Sequence, residues 1–243
     1  MTERHDIHFY WDPICPFAWL TSRWVTEVAR QRDYSVDWRF ISLRIVNADV
    51  DYAAEFPPDY EAGHTAGLRL LRLAACVRAE HGRALMGELY TALGESIFDI
   101  DPPADTAAHR RRLGTPDHVL PVLERLGLPA DLVSALDDTS LDAEITAETE
   151  EALSLTGRDV GTPIIHFGPP DGPGFFGPVI SRVPRGDDAL RLWDHVVGLA
   201  TFPGFAELKR SLREMPRLRV LGVDPDADEV AEQDWQGGHV AAR

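Results

Sequence analysis

The sequence predicts a mixed α/β fold in which a long all-helical insertion interrupts a small sheet. Three patterns carry this prediction: a βαβ opening, a middle region with apolar residues at helical spacing, and a ββα closing segment. With 243 residues, of which 44% are hydrophobic, the chain can bury one large core or two smaller ones.

The opening segment alternates between strand and helix patterns. Residues 5–11 predict a strand, Cys15 to about Arg32 a helix, and Tyr34 to about Ser42 a second strand in which apolar and charged side chains alternate. A strand, a helix and a second strand in this order favour a parallel strand pair. We therefore expect the two strands to lie side by side.

The rest of the chain is first helical and then mixed. Apolar residues recur at helical spacing over Leu68–Val77, Leu85–Ile97, Val119–Leu126, Leu132–Leu136 and Ile145–Leu155. Later patterns predict strands at Pro163–Phe167 and Phe175–Gly177, a helix from Arg185 to about Leu199, and a last helix from Phe202 to about Glu214.

These patterns predict a discontinuous α/β domain. Residues 1–55 and 158–215 form it, residues 56–157 form an inserted helical domain, and residues 216–243 form an acidic, flexible tail. The substrate cleft should lie between the two domains.

Composition limits the partners of this protein. A formal net charge of −16 argues against nucleic acid, which requires a basic face. Because the sequence has no long apolar run and no signal-peptide core, we expect a cytoplasmic protein without a membrane partner. The histidines and cysteines are not spaced as metal ligands are, so we expect no metal. The sequence Gly172–Gly177 matches the G-x-G-x-x-G pattern of dinucleotide-binding proteins, but it precedes a strand and not a helix, so we expect no nucleotide.

The most informative motif is Asp12–Trp19. Pro13 ends the first strand and Pro16 suits the first helical position, which places Cys15 at the helix N-cap. Unpaired backbone N–H groups and the helix dipole stabilise a negative sulfur there, so we expect a lowered pKa and a reactive thiolate. The alternative is a small residue that fills a strand-to-helix turn.

A second motif, Thr162-Pro163, precedes the third strand. A cis-proline at this place in a thioredoxin fold faces the reactive cysteine and leaves the preceding backbone free to bind an extended thiol or peptide. We therefore predict a cis bond at Pro163, with Thr162 and Pro163 binding the thiol cofactor.

Together the two motifs resemble the DsbA-like family of thioredoxin-fold enzymes, most of all the mycothiol-dependent nitroreductases. The similar stretches are Trp11–Pro16, Ser22–Trp24, Asp159–Pro163, Phe175–Val179, Pro184–Gly186 and Leu192–Asp194. The resemblance covers roughly residues 5–213 and implies a thioredoxin-like fold with an inserted helical domain. It also implies a low-molecular-weight thiol such as mycothiol as reductant, and a small electrophile as substrate.

The chain departs from the family at Ala18, where the Cys-Pro-X-Cys pattern places a second cysteine. Residues 15 and 18 are one helical turn apart, so in dithiol enzymes the second thiolate releases the mixed disulfide. Ala18 has no sulfur, and an outside thiol must resolve any disulfide formed on Cys15.

Three functions remain open on these residues. The favoured one is a monothiol oxidoreductase that reduces a disulfide or small electrophile through Cys15. The second is a thiol-dependent cis-trans isomerase or S-transferase, because related isomerases and kappa-type transferases carry Ser-Pro-aromatic-small at this position and use the cofactor's sulfur. The third is a binding module without redox function. The chain is expected to be a monomer or a homodimer.

Other residues are secondary candidates. Asp12 is either a proton relay for the thiol or a cap for the helix end, and Arg182 and Arg185 are candidates to bind a cofactor carboxylate. The aromatic residues Trp11, Phe17 and Trp19 are expected to line the cleft, with core packing as the alternative. Cys76 lies in an apolar helical pattern and should be a small buried residue.

Overall fold

The computed structural model describes residues 5–57, 59–210 and 214–227. Its strands are β1 (Ile7–Trp11), β2 (Val36–Phe40), β3 (Ile164–Phe167) and β4 (Gly174–Phe176). Its α-helices are α1 (Pro16–Gln31), α2 (Leu43–Val46), α3 (Tyr52–Glu55), α4 (Tyr60–His81), α5 (Met86–Phe98), α6 (Thr106–Arg112), α7 (Pro116–Arg125), α8 (Asp142–Thr156) and α9 (Gly186–Ala200). Short 3₁₀ helices occupy Arg83–Leu85, Ala130–Asp137, Thr139–Leu141 and Arg219–Leu221.

The four strands form one sheet in the order β2-β1-β3-β4. β1 pairs in parallel with β2, as predicted, and antiparallel with β3, which in turn pairs antiparallel with β4. Four of the five β1 residues are buried, because this strand has neighbours on both edges and layers on both faces. The long segment between β2 and β3 is helical, so the chain has the predicted thioredoxin-like α/β fold with a helical insertion.

The helical insertion is attached to the sheet by buried charges. Glu148 of α8 accepts a hydrogen bond of 2.8 Å from the backbone N–H of Phe40 and pairs at 3.1 Å with Arg78 of α4. The Arg78 guanidinium also lies 3.9 Å above the Phe40 ring. This arrangement holds α4 and α8 against the end of β2.

On the other side of the sheet, α1 packs against α9. The rings of Trp24 and Trp193 are 5.4 Å apart, and the Trp24 indole N–H donates a hydrogen bond of 2.9 Å to the Ala189 carbonyl. α1 therefore has a fixed position with respect to the sheet, and its first residue is fixed with it.

The prediction of a helix from Phe202 to Glu214 is wrong for the residues that the structure describes. Residues 202–210 form turns and irregular chain, while 211–213 lie outside the described residues. Gly204 takes a φ of 83°, and Leu208 is 80% exposed. Without a buried apolar face, helical spacing alone does not stabilise a helix.

The start of the predicted acidic tail packs against the protein. Leu218 is buried, and the Arg217 N–H donates a hydrogen bond of 2.7 Å to the Ser181 carbonyl. Residues 228–243, including Asp228 and Glu229 of the acidic run, lie outside the described residues. No helix in the described part of the chain is long and apolar enough to cross a membrane.

Candidate active site

Cys15 is the N-cap of α1, as the flanking prolines predict. Its sulfur accepts a hydrogen bond from the Ala18 N–H at 3.5 Å, and its carbonyl accepts one from the Trp19 N–H at 3.0 Å. Pro16 occupies the first turn, where a missing N–H costs nothing. The side chain of Cys15 thus takes the place that Ser or Asp fills at most helix starts.

The Thr162-Pro163 segment lies directly against Cys15. The Cys15 thiol donates a hydrogen bond to the Thr162 carbonyl at 3.4 Å, although 147 residues separate them in sequence. The Thr162 hydroxyl donates to the Tyr10 carbonyl at 3.0 Å, which fixes this loop to β1. The peptide bond at Pro163 is cis, as predicted.

The expectation of a lowered pKa at Cys15 is wrong for this structure. Burial, to which the charge of Asp12 adds, raises the pKa of the thiol to about 12. The backbone N–H groups of Ala18 and Phe17 act in the opposite direction and do not outweigh the loss of water. Cys15 is only 6% exposed, a burial that local sequence does not reveal.

Asp12 is fully buried and does not cap α1. One carboxylate oxygen accepts the Ile14 N–H at 3.0 Å, and the other accepts the Leu43 N–H, the first of α2, at 2.7 Å. Burial raises the pKa of Asp12 to about 7, against the lowering effect of these two N–H groups. The carboxyl therefore titrates near neutral pH beside Cys15.

Two of the three aromatic residues expected in the cleft belong to the core. Trp11 is fully buried and stacks on Tyr90, with ring centroids 4.1 Å apart. It therefore packs in the core, which was the alternative to lining the cleft. Trp19 is 2% exposed and stacks on Phe98. Phe17 keeps partial exposure and stays a candidate for contact with a substrate.

The helical insertion contributes two residues that the sequence did not single out. Tyr90 of α5 is fully buried near Cys15, and its hydroxyl makes no hydrogen bond within the described residues. Burial, with the charge of Cys15 as the next cause, raises its pKa well above the usual value. A Cβ on Gly67 of α4 would lie 2.8 Å from an Asp12 oxygen, so this glycine lets α4 approach the site.

The predicted cofactor arginines contact acidic residues. Arg182 pairs with Glu214 at 3.6 Å and Arg185 with Asp226 at 3.6 Å, and both side chains are more than half exposed. No contact in the described part of the chain links either arginine to Cys15. Their role in binding a cofactor carboxylate stays a prediction.

Both cysteines are free, and Cys76 differs from Cys15. Cys76 is half-buried where full burial was expected, because it lies on a side of α4 that the core covers only in part. Burial, with Glu80 as the next cause, raises its pKa to about 11. Among the residues that the structure describes, no three His, Cys, Asp or Glu side chains converge on a possible metal position.

A buried cysteine at a helix N-cap, facing a cis-proline loop in a thioredoxin-like fold, defines a thiol-dependent oxidoreductase. The comparison with known families agrees with this class. The model of the Rv2466c-like family, described as mycothiol-dependent nitroreductase Rv2466c, matches residues 14–210, and the chain belongs to this family.

The chain is also similar to individual proteins. The chain is 32% identical over 206 residues to the uncharacterized protein Rv2286c of Mycobacterium tuberculosis (strain ATCC 25618 / H37Rv), covering 84% of this chain and 81% of the relative. Among solved structures, it is similar to the cytosolic disulfide reductase DsbM of Pseudomonas aeruginosa, with 18% identity, a TM-score of 0.46, and coverage of 80% and 99%. It is also similar to the oxidoreductase DsbA of Xylella fastidiosa, with 20% identity, a TM-score of 0.45, and coverage of 80% and 86%.

Proposed function

We propose that this protein is a monothiol oxidoreductase that uses Cys15 and a low-molecular-weight thiol of the mycothiol type to reduce a disulfide or a small electrophile. One observation carries the proposal: Cys15 lies between the α1 N–H groups and the Thr162 carbonyl, while Ala18 occupies the place of a second thiol. The name of the family supports the choice of thiol.

The residues around Cys15 fit a bound thiol. The Thr162 N–H donates no hydrogen bond within the described residues, and the carbonyl of the same residue is 3.4 Å from the Cys15 sulfur. An amide in a ligand thiol can pair with this backbone N–H and bring its sulfur to Cys15. Phe17, which is partly exposed, is the residue we propose to cover such a ligand.

The proposed chemistry is a thiol–disulfide exchange. Cys15 Sγ attacks one sulfur of the disulfide, a new S–S bond forms, and the other sulfur leaves as a thiolate that takes up a proton. Cys15 is then held in a mixed disulfide, which Ala18 cannot open. One external thiol displaces the substrate sulfur, which leaves as a thiol, and forms a disulfide with Cys15. A second external thiol then cleaves that disulfide, so that Cys15 is reduced and the two external thiols, which have supplied the two electrons, leave as their own disulfide.

Asp12 is the proposed acceptor of the Cys15 proton. Its carboxyl is buried, contributes to the raised pKa of Cys15, and has a pKa of about 7. A base that titrates near the working pH is suited to reversible proton transfer. The cytoplasmic location expected from the sequence stays a prediction, and the two free cysteines fit a reducing compartment.

A second function has one observation in its favour. The pKa of about 12 leaves Cys15 protonated near neutral pH, a state in which the sulfur of a bound thiol is the better nucleophile. This state favours an isomerase or S-transferase, in which that sulfur adds to an activated double bond.

Two variants separate these functions. For the oxidoreductase, we expect Ala18→Cys to form an internal disulfide and to depend less on added thiol, and Cys15→Ser to lose all reduction. The measurement is product formation over a thiol titration, with one disulfide or nitroaromatic substrate and one cis-enone. Isomerisation by Cys15→Ser, with no reduction by the wild type, would refute the oxidoreductase and support the second function.

A further inference from the structure

A cluster of aromatic rings surrounds one histidine at the start of the helical insertion. This aromatic cluster consists of Tyr52, Phe56, Tyr60 and His64. The Phe56 ring stacks on Tyr52 at 5.1 Å and on Tyr60 at 5.4 Å, and all three rings meet His64 edge-on at 5.5 to 5.8 Å. The imidazole is thus held on three sides.

One nitrogen of His64 is paired and the other is not. The Tyr52 hydroxyl lies 2.8 Å from Nδ1, while Nε2 makes no hydrogen bond within the described residues. His64 is 6% exposed, and its unpaired Nε2 atom keeps contact with solvent. Because most buried side-chain nitrogens have a hydrogen-bond partner, the unpaired Nε2 is a candidate to bind a ligand.

The imidazole is neutral at physiological pH. Burial, with the charges of Arg44 and Arg110 as further causes, lowers the pKa of His64 to about 4. A neutral imidazole has one N–H donor and one acceptor nitrogen. If the Tyr52 hydroxyl donates to Nδ1, the proton resides on Nε2, which then acts as a fixed hydrogen-bond donor.

The aromatic cluster borders the Cys15 site. His64 precedes Gly67 by three residues, so the two lie on the same face of α4, about 5 Å apart along the axis. Gly67 is the glycine whose Cβ would touch Asp12 and the Ile14 side chain. The charge of Asp12 is also among the causes that raise the pKa of Tyr52.

We propose that His64 Nε2–H binds an oxygen of a flat electrophile, a nitro or conjugated carbonyl compound, whose ring lies against the aromatic cluster. The inference rests on the proposed function and adds a residue that binds the substrate at the same site. When a thiolate adds to such a compound, the electron pair of the new bond displaces negative charge onto that oxygen. The Nε2–H donor stabilises the charge without giving up its proton, as fixed neutral donors do in oxyanion sites.

The tautomer is the first measurement. In protein with ¹⁵N-labelled histidine, long-range ¹H–¹⁵N spectra between about pH 6 and 8 should show His64 neutral with the proton on Nε2. We expect Tyr52→Phe to weaken that preference, because it removes the donor to Nδ1. Tyr34→Phe, which removes a hydroxyl beside Trp193, is the matched control and should leave the His64 signals unchanged. A proton on Nδ1 in the wild type would overturn the proposal.

Binding is the second measurement, made in the Cys15→Ser background so that it does not depend on thiol chemistry. The probes are nitrobenzene and isopropylbenzene, which have similar shapes but differ in oxygen acceptors. We expect nitrobenzene to bind several-fold more tightly, His64→Gln to retain this preference through its amide N–H, and His64→Leu to abolish it.

Equal binding of the two probes, or a preference that survives in His64→Leu, would overturn the role of His64 even if Cys15 proves to be the nucleophile. Conversely, probe selectivity at His64 together with an inactive thiol cycle would refute the proposed function alone. The two conclusions can therefore fail separately.

Discussion

A methyl group added at Gly67 tests whether α4 shapes the Cys15 site. The new Cβ would lie 2.8 Å from Asp12 Oδ1 and 2.9 Å from Ile14 Cγ1, distances that force a shift. The same oxygen accepts the Ile14 N–H at 3.0 Å. Relief of the clash therefore disturbs a hydrogen bond to a carboxyl group that is fully buried.

Two opposing terms set the stability of Gly67→Ala. Replacing glycine in a helix interior gains about 1 kcal/mol of helix propensity. Loss of a hydrogen bond to a charged group costs about 1.5–3 kcal/mol. The net effect is a destabilisation of about 0.5–2 kcal/mol, read from urea unfolding, together with a changed alkylation rate at Cys15.

Gly198→Ala is the matched control for Gly67→Ala. Gly198 is exposed on α9, and no atom lies within 4 Å of the Cβ position. It should gain about 1 kcal/mol and raise the melting temperature by about 2–4 °C, with no change at Cys15. If Gly67→Ala stabilises the protein as Gly198→Ala does, the reasoning about α4 and Asp12 is refuted.

Three further predictions concern buried charges. Burial raises the pKa of Asp12 from 3.8 to about 7, so between these pH values the folded protein binds a proton that the unfolded chain has lost. Wild-type stability should therefore fall as the pH rises from about 4 to 7, by about 1.4 kcal/mol for each unit of the pKa shift, and Asp12→Asn should remove this pH dependence. Parallel curves of unfolding free energy against pH for the two proteins would contradict this. Asp12→Asn should also slow iodoacetamide labelling of Cys15 at pH 8 while leaving Cys76 unchanged, because it removes the proposed acceptor of the Cys15 proton; peptide mass spectrometry measures both rates. Faster labelling of Cys15 would show that the charge of Asp12, which raises the pKa of the thiol, outweighs its role as proton acceptor. Finally, Arg78→Met should cost about 1.5–3 kcal/mol in urea unfolding, because Glu148 loses its 3.1 Å ion pair and keeps the Phe40 N–H and the 3.6 Å contacts with Arg39 and Arg83. Adding Glu148→Gln should recover part of the loss.

Local chemistry explains why the start of the site could be predicted from the sequence. Pro16 favours the first turn of a helix, and the residue before it becomes the N-cap, so Cys15 was placed correctly. Alternating apolar and charged residues predicted β2, and β1 and β2 pair as expected. These features depend on neighbours within a few residues.

Features that depend on distant residues could not be predicted in this way. Tyr90 looks like any apolar helix position, yet the fold stacks it on Trp11 and brings it close to Cys15. Likewise, the apolar spacing after Phe202 resembles that of α9. In the fold Phe205 stacks on Phe175, but Phe202 and Leu208 are exposed, so a helix over residues 202–210 would bury no continuous apolar face.

The charge state of Cys15 shows how the fold can reverse a local rule. The helix N-terminus favours a thiolate, but burial and the charge of the neighbouring Asp12 outweigh it and raise the pKa of the thiol. For Cys15 to attack a disulfide, its proton must go to Asp12, whose pKa of about 7 lies well below that of the thiol. That transfer is unfavourable until a ligand changes the surroundings of the sulfur. The reactivity of Cys15 is therefore expected to depend on the bound thiol or substrate. If Cys15 becomes the nucleophile when a ligand binds, Cys15→Ser loses all reduction; if the sulfur of the bound thiol is the nucleophile, Cys15→Ser keeps isomerase or transferase activity.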